Sequence, residues 1–483
     1  MKIAIMGLGP HARRVYVPAL QRLRERFGVE VALGVELEAK EAEVRSFLAT
    51  RELRPELLFV KPFQQHMPED VRAALSRIAR RERLDGVIIA TEPLSHRAYA
   101  EWALEERLHI LMDKPVTTRE NAATDLHQAV GIHGDYEALL SAHARLQKEK
   151  QTLFSINVQR RFHPGFQRVR ELLEEIAGRT NCPITSLQSS HADGQWRLPS
   201  ELVTLGYHGY NEGYGKVSHS GYHFFDLAWW LYQSVARITG KQADFAEVFS
   251  SFQGPGGYLR QLDAKDHERL FGPEYRSAWP HDEESLRQRV RNYGELDAFS
   301  TIRLLQEGES VCHLSIHLLH NSFSRRDRLE PGKNLYKGNG RVKHEHHSIQ
   351  QGPFQNIQVH SYQSRAEHDE GTGDEHAVGG NNHFDIHVFR NSGLTGDARP
   401  LEIIRMGELE ARAGYDAERL ATEQAKEAVV VEFLQFIRGE LPRERVRSSL
   451  EEHRVPVRLM SSVYASHVLQ RRGENPLVGF ALR

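Results

Sequence analysis

A chain of 483 residues is too long for one compact core, so two domains are expected, with room for a large insertion. Hydrophobic residues at 40% and aromatics at 8% are ordinary for a soluble globular protein. Lys+Arg 63 against Asp+Glu 65 leaves a formal net charge of -2, which gives no support to nucleic-acid or membrane-surface binding driven by bulk charge.

Cys182 and Cys312 lie far apart and match no metal or redox spacing, so a reducing compartment is expected. No segment approaches the roughly 18 consecutive apolar residues of a membrane helix. The N-terminus reads as a strand running into a glycine loop rather than as a signal peptide, so a cytoplasmic protein is expected.

Lys2 to Met6 is a short apolar strand, followed by Gly7-Leu-Gly9-Pro10-His11-Ala12 and a helix carrying Val15, Val17, Ala19, Leu20 and Leu23. Gly7 permits a tight turn and Gly9 lets backbone approach a pyrophosphate. Ala12 stands where a third glycine would allow close helix-to-strand packing. The helix N-terminus, with Pro10 and His11, then offers N–H groups to phosphates. This context predicts dinucleotide binding.

A second strand over Val29–Val35 ends at Glu36, placed to accept the ribose hydroxyls of an adenosine and to repel a 2′-phosphate. NAD is therefore expected over NADP. Residues 68–82 read as an amphipathic helix, and Leu84–Ala90 as a buried parallel strand ending at Thr91-Glu92-Pro93-Leu-Ser-His96. A further helix leads to the strand His109–Met112, which stops at Asp113-Lys114-Pro115, because proline lacks an N–H and biases Lys114 away from helix. Alternating strands and helices predict a doubly wound parallel sheet.

Together the glycine loop, Asp85-Gly-Val-Ile-Ile-Ala-Thr91, Pro93 with His96, and Asp113-Lys114-Pro115 resemble the Gfo/Idh/MocA family (glucose-fructose oxidoreductase, inositol dehydrogenase, rhizopine catabolism) in order and spacing. Its usual Glu-Lys-Pro here carries a shorter acid. The resemblance implies an NAD(P)-dependent oxidoreductase acting on a CH–OH group of a sugar, cyclitol or derivative. It covers residues 1–230 closely and the remainder loosely. The implied fold class is α/β: a Rossmann-type domain over 1–150, then an α+β domain over 151–483 with a large, mostly antiparallel open-faced sheet and insertions near 235–295 and 325–400.

Residues 119–150 read as a long polar helix joining the halves. After a strand over 152–158, Arg160 and Arg161 either meet an anionic or hydroxylated substrate or merely flank the helix that Pro164 opens; both readings stand. Alternation over Ile184, Leu187, Ser189 and His191 begins the second domain's sheet.

The stretch Lys216–Leu231 has an apolar face at helical spacing, Phe224, Leu227, Ala228 and Leu231. If the helix extends back, one face carries His219, His223 and Asp226. The family pattern D-x-G-x-H-x-x-D appears here as His219-x-Gly221-x-His223-x-x-Asp226, with a histidine for the first acid. Hydride transfer from an alcohol requires a base near neutrality, which suits His223 as general acid/base. Lys114 is its electrostatic partner, stabilising a developing alkoxide. His219 is a third catalytic candidate, and Asp226 a substrate contact with Arg160 and Arg161.

Ala298–Leu305 and Val311–Leu318 around Gly308 predict a hairpin. Gly254-Pro-Gly-Gly257 reads as a loop and 365–382 as an exposed excursion. Many of the 27 histidines fall late, in His344/His346/His347 and in His383/His387 beside Asp385, but neither group has zinc spacing, so no metal is expected. Glu427–Phe436 and Val455–Val468 are closing helices expected to pack back on the molecule. A homodimer or homotetramer and a small sugar-like substrate are implied by the resemblance. Two rivals remain: a relative using tightly held NAD transiently for elimination, epimerisation or glycoside cleavage, and a non-catalytic binding or regulatory protein.

Overall fold

A computed structural model describes residues 1–203, 207–278, 282–330, 340–364, 383–416 and 419–482. The chain divides into two compact units. The first comprises Met1–Arg119, Gly131–Pro164 and Tyr415–Arg458; the second comprises Glu120–Val130, Gly165–Gly414 and Leu459–Arg483.

The first unit is built on six parallel strands, β1 (Lys2–Met6), β2 (Glu30–Leu37), β3 (Glu56–Val60), β4 (Gly86–Ile89), β5 (His109–Asp113) and β6 (Phe154–Asn157). Their order is β3-β2-β1-β4-β5-β6. The chain reverses its direction of travel between β1 and β4, and ligands of such sheets lie outside the strands' carboxyl ends at that point. β1, β4 and β5 are apolar almost throughout because helices cover both faces.

The boundary expected at residue 150 falls inside this unit, since β6 completes the sheet. The C-terminal helix Ala421–Ile437 also belongs here. Ala425, Val429, Val430, Phe433 and Leu434 share one core with Ile3, Ile5, Leu20, Leu23 and Leu111. The helix expected after the glycine loop is broken into Pro10–Arg14 and Tyr16–Phe27 at Val15. Pro18 explains the break: with no N–H it sits only in a first turn, so a new helix starts just before it.

Among its described residues the second unit carries nine strands: β7 (Ser186–Gln195), β8 (Phe245–Gln253), β9 (Asp297–Gln306), β10 (Glu309–Asn321), β11 (Val342–Gln351), β12 (Gln355–Ser364), β13 (His383–Arg390), β14 (Leu401–Arg405) and β15 (Val478–Ala481). Their order is β14-β13-β12-β11-β7-β10-β9-β8-β15. Among the described residues β7 and β10 run parallel and the other neighbours antiparallel. The predicted hairpin is β9–β10, turning at Glu307 (φ 51°) and Gly308 (φ 86°); two left-handed residues match the twist of a tight hairpin.

Both expected insertions are structured over their described residues. Near 235–295 four short helices pack Tyr258, Leu259, Tyr275, Leu286 and Val290 against Leu202 and Leu296. Gly254-Pro-Gly-Gly257 is not a loop but a helix start: Gly254 is the N-cap of Pro255–Gln261, and Pro255 occupies the first helical position, where no N–H is missed. The 325–400 region supplies β11, β12 and β13. The excursion expected at 365–382 lies outside the described residues.

Candidate functional site

Gly7 has φ +88°, and a Cβ there would meet the Ala90 carbonyl oxygen at 2.6 Å, so backbone conformation and close approach to β4 both require glycine. Gly9 differs. A Cβ there would meet, among the described residues, only Glu36 Oε2 within 4 Å, at 3.8 Å. Pro10 starts the helix on its Gly9 N-cap, and Ala12 is fully buried beneath. Glu36 is the penultimate residue of β2 and accepts a hydrogen bond from the Leu37 N–H at 2.8 Å.

At the end of β5 the Asp113 carboxylate is held from two directions. Tyr16 Oη donates to it at 2.6 Å and Asn157 Nδ2 at 3.0 Å, while His11 Nε2 stands 3.4 Å away. Burial pushes His11 down to about 4, against the pull of Asp113. Lys114 follows directly, half-buried, before Pro115. His96 is fully buried and spans two loops: Nδ1 lies 2.9 Å from the Pro115 carbonyl oxygen and Nε2 3.1 Å from that of Thr91. Burial lowers its pKa although both carbonyls favour the charged ring. His96 is therefore a strut that fixes the Thr91–Pro93 and Lys114–Pro115 corners relative to each other.

Arg161 is committed to the C-terminal segment, contacting the Glu452 carboxylate and donating to the Arg447 carbonyl at 2.7 Å. That supports the flanking reading for Arg161. Arg160 beside it is also buried.

In the second unit the expected helix does extend back past His219, but as a π-helical turn, Val217–Gly221, leading into the α-helix Tyr222–Thr239. The i→i+5 turn breaks the 3.6-residue register on which a shared face for His219, His223 and Asp226 was expected. His223 is buried in the first turn of the α-helix, and Asp226 is fully buried. His219 directs both ring nitrogens inward: Nε2 is 2.7 Å from Tyr210 Oη and Nδ1 2.9 Å from Ser220 Oγ. The His208 ring stacks on it at 4.4 Å.

The late histidines do not gather around a centre. His347 faces inward to Ser189 Oγ (2.8 Å) and Glu345 Oε1 (2.9 Å), whereas its neighbour His346 pairs across the strands with His360, whose ring packs on that of His387. Among the described residues no three His, Cys, Asp or Glu side chains are arranged to hold a metal.

Residues 1–136 match the GFO_IDH_MocA family, described as an oxidoreductase family with an NAD-binding Rossmann fold. Over these residues the chain is similar to that family's NAD-binding domain. No curated protein matches the chain. The fold is shared with an oxidoreductase domain protein from Kribbella flavida at TM-score 0.58 and 15% identity, covering 100% of this chain and 98% of that one. An oxidoreductase from Agrobacterium radiobacter, crystallised with NAD+, L-tartaric acid and magnesium, is similar at 0.57 and 13% with the same coverage. The WlbA dehydrogenase from Bordetella pertussis, in complex with NADH and UDP-GlcNAcA, is similar at 0.56 and 13%, again covering 100% and 98%. At these identities the likeness establishes fold.

The first unit's own geometry suits a nucleotide: bare backbone at Gly9 and the Glu36 carboxylate lie together at the carboxyl edge of β1 and β2. Sequence reasoning missed Lys426, on the helix Ala421–Ile437. Burial lowers it to about 8, with further effects from Arg14, Asp113 and Lys114. It also missed a buried polar group in the second unit, Asp193, Tyr210, Lys216, Glu295 and His320. A signal was present. On β7 the inward positions Leu187, Ser189 and His191 continue to Asp193, and on β10 Leu314, Ile316 and Leu318 continue to His320. The same alternation that buries the apolar residues buries these polar ones.

Proposed function

We propose that this protein is an NAD-dependent oxidoreductase that transfers a hydride between nicotinamide and a secondary alcohol or ketone of a sugar, cyclitol or sugar derivative. The observation that carries the reading is the end of β5. There Asp113 is clamped by Tyr16 and Asn157, so Lys114 leaves the sheet from a fixed point at its carboxyl edge, beside a domain of the NAD-binding family. A solvated corner would not need its acid pinned by two donors.

Bound nicotinamide would supply the hydride chemistry. The chain's own residues do the rest. Gly7, Gly9, Pro10, His11 and Ala12 form the loop that holds the pyrophosphate. Glu36 accepts the adenosine ribose hydroxyls and repels a 2′-phosphate, favouring NAD over NADP. Thr91, Pro93 and Asp113 border the nicotinamide half, with His96 fixing their loops. The Lys114 ammonium lowers the cost of the alkoxide that develops as His223 takes the hydroxyl proton, and that negative charge is discharged into the carbonyl when the carbon gives up its hydride. Asp226 and Arg160 remain candidates for shaping the substrate's surroundings. WlbA, which is similar in fold, was crystallised with NADH and UDP-GlcNAcA, which is in keeping with this reading.

Purified protein with NAD and a panel of sugars and cyclitols tests the reading through nicotinamide absorbance. Reduction of NAD by at least one, lost in His223→Ala, is the expected result. No reduction by any, with NAD bound, would point away from net dehydrogenation.

A further inference from the structure

The buried polar group of the second unit forms a directed chain. Lys216 and Asp193 are in contact as a buried ion pair, with Lys216 fully buried. Arg341 supports the same carboxylate, with Nη2 3.4 Å from Oδ1, and donates from Nε to the Asp193 carbonyl at 2.8 Å. His320 Nδ1 lies 3.6 Å from Asp193 Oδ2 and 3.0 Å from Tyr210 Oη. Tyr210 Oη lies in turn 2.7 Å from His219 Nε2, and His219 Nδ1 2.9 Å from Ser220 Oγ. The order is thus Lys216, Asp193, His320, Tyr210, His219, Ser220.

Charge decides which way the protons point. Burial alone would raise the Asp193 carboxyl, but Lys216, with His320, His191 and Arg341, overcomes this and holds it well below its ordinary range. Asp193 is ionised. Burial pushes His320 down to about 4 even with Asp193 beside it, so His320 is a neutral ring with a single N–H. The neighbouring carboxylate favours that proton on Nδ1, the nitrogen facing it, rather than on Nε2. An Nδ1–H then donates to Tyr210 Oη, and the phenol, having accepted there, spends its own proton on His219 Nε2. That leaves the His219 proton on Nδ1, directed at Ser220 Oγ. The alternative chain, with every proton reversed, aims the Nδ1 lone pair of His320 at the carboxylate and is disfavoured by that charge.

We infer that Tyr210 and His320 are positioning residues that transmit the charge of Asp193 to His219 and direct its proton to Nδ1. This gives the first position of the His219-x-Gly221-x-His223 stretch a defined hydrogen-bonding direction that a lone histidine there would lack. The inference rests on the proposed reaction only for its purpose; the tautomer itself is a property of the resting protein.

Selective 15N-histidine labelling, with His219 and His320 assigned through His219→Gln and His320→Gln, reads the tautomers from their nitrogen shifts. The full-length protein is expected to show His219 and His320 both as Nδ1–H tautomers at pH 7. In Tyr210→Phe, which keeps the ring and removes only the hydroxyl, His219 should lose its preference for Nδ1–H while His320, still facing Asp193, keeps its own. A melting temperature for Tyr210→Phe close to the parent's confirms that the variant is folded. An Nε2–H tautomer at His219 in the parent, or no change in Tyr210→Phe, overturns the inference. Absence of any NAD-linked turnover would overturn the proposed function while leaving this spectroscopic result standing.

Discussion

At Glu36 the proposed preference for NAD over NADP comes down to one side chain. Its carboxylate flanks the bare backbone of Gly9, at 3.8 Å from where a Cβ would be. Removing its charge in Glu36→Gln should weaken NAD and strengthen NADP, changing the ratio of dissociation constants at least tenfold, about 1.4 kcal/mol. Calorimetric titration of both nucleotides checks this, and an unchanged ratio would remove Glu36 from the ribose site. Tyr16 works one step further back. It is one of two donors to Asp113, and burial together with that carboxylate raises its pKa well above the ordinary value. Tyr16→Phe should therefore cost about 1–3 kcal/mol of stability, measured by urea unfolding, since it strips a donor from a partly buried carboxylate.

At the level of elements, the helix Ala421–Ile437 is the clearest case of long-range assembly. Its apolar face was evident from Val429, Val430, Phe433 and Leu434, but no local signal said that the face completes the first unit's core rather than the second's. Phe433 fills the space opposite Gly86, where a Cβ would meet its ring at 3.0 Å. Phe433→Ala should cost about 3–5 kcal/mol, seen as a lowered unfolding midpoint of the NAD-binding unit. The parallel strands and the β9–β10 hairpin were legible because period-2 alternation and apolar runs are local properties. The Gly254-Pro-Gly-Gly257 helix start was not, because the same residues suit a turn, and only the packing of Tyr258 and Leu259 selects helix. The π-turn at Val217–Gly221 was equally hidden: it has no periodicity of its own, and it redirected His219 toward Tyr210. For the candidate site, the sequence places Lys114, Glu36 and the glycine loop at strand ends, and the structure has them there. Asp193 and His320 are distant in sequence and meet through the β7–β10 pairing, and Tyr210 joins them from a separate helical turn.

Across the whole molecule, buried histidines couple stability to pH. His320, His109 and His467 are each pushed down to about 4, burial being the largest cause in every case. In the unfolded chain they titrate near 6.5. A depressed folded value means that the unfolded state binds more protons between these limits, so the stability is present above about pH 6.5 and is lost as pH falls through about 4. For fully buried His320 the shift corresponds to roughly 3 kcal/mol. The melting temperature should therefore fall steadily from pH 6.5 to pH 4 in a scanning calorimetry series. A flat profile would mean that these rings are already hydrated in the folded protein.

The most direct test of the central claim, an NAD-linked hydride transfer organised around Lys114, is a paired measurement on Lys114→Met. With a substrate found in the sugar and cyclitol panel, turnover should be abolished, while the NAD dissociation constant measured by titration stays within about tenfold, or roughly 1.4 kcal/mol, of the parent. Retained turnover, or lost turnover caused by lost NAD binding, would contradict the account.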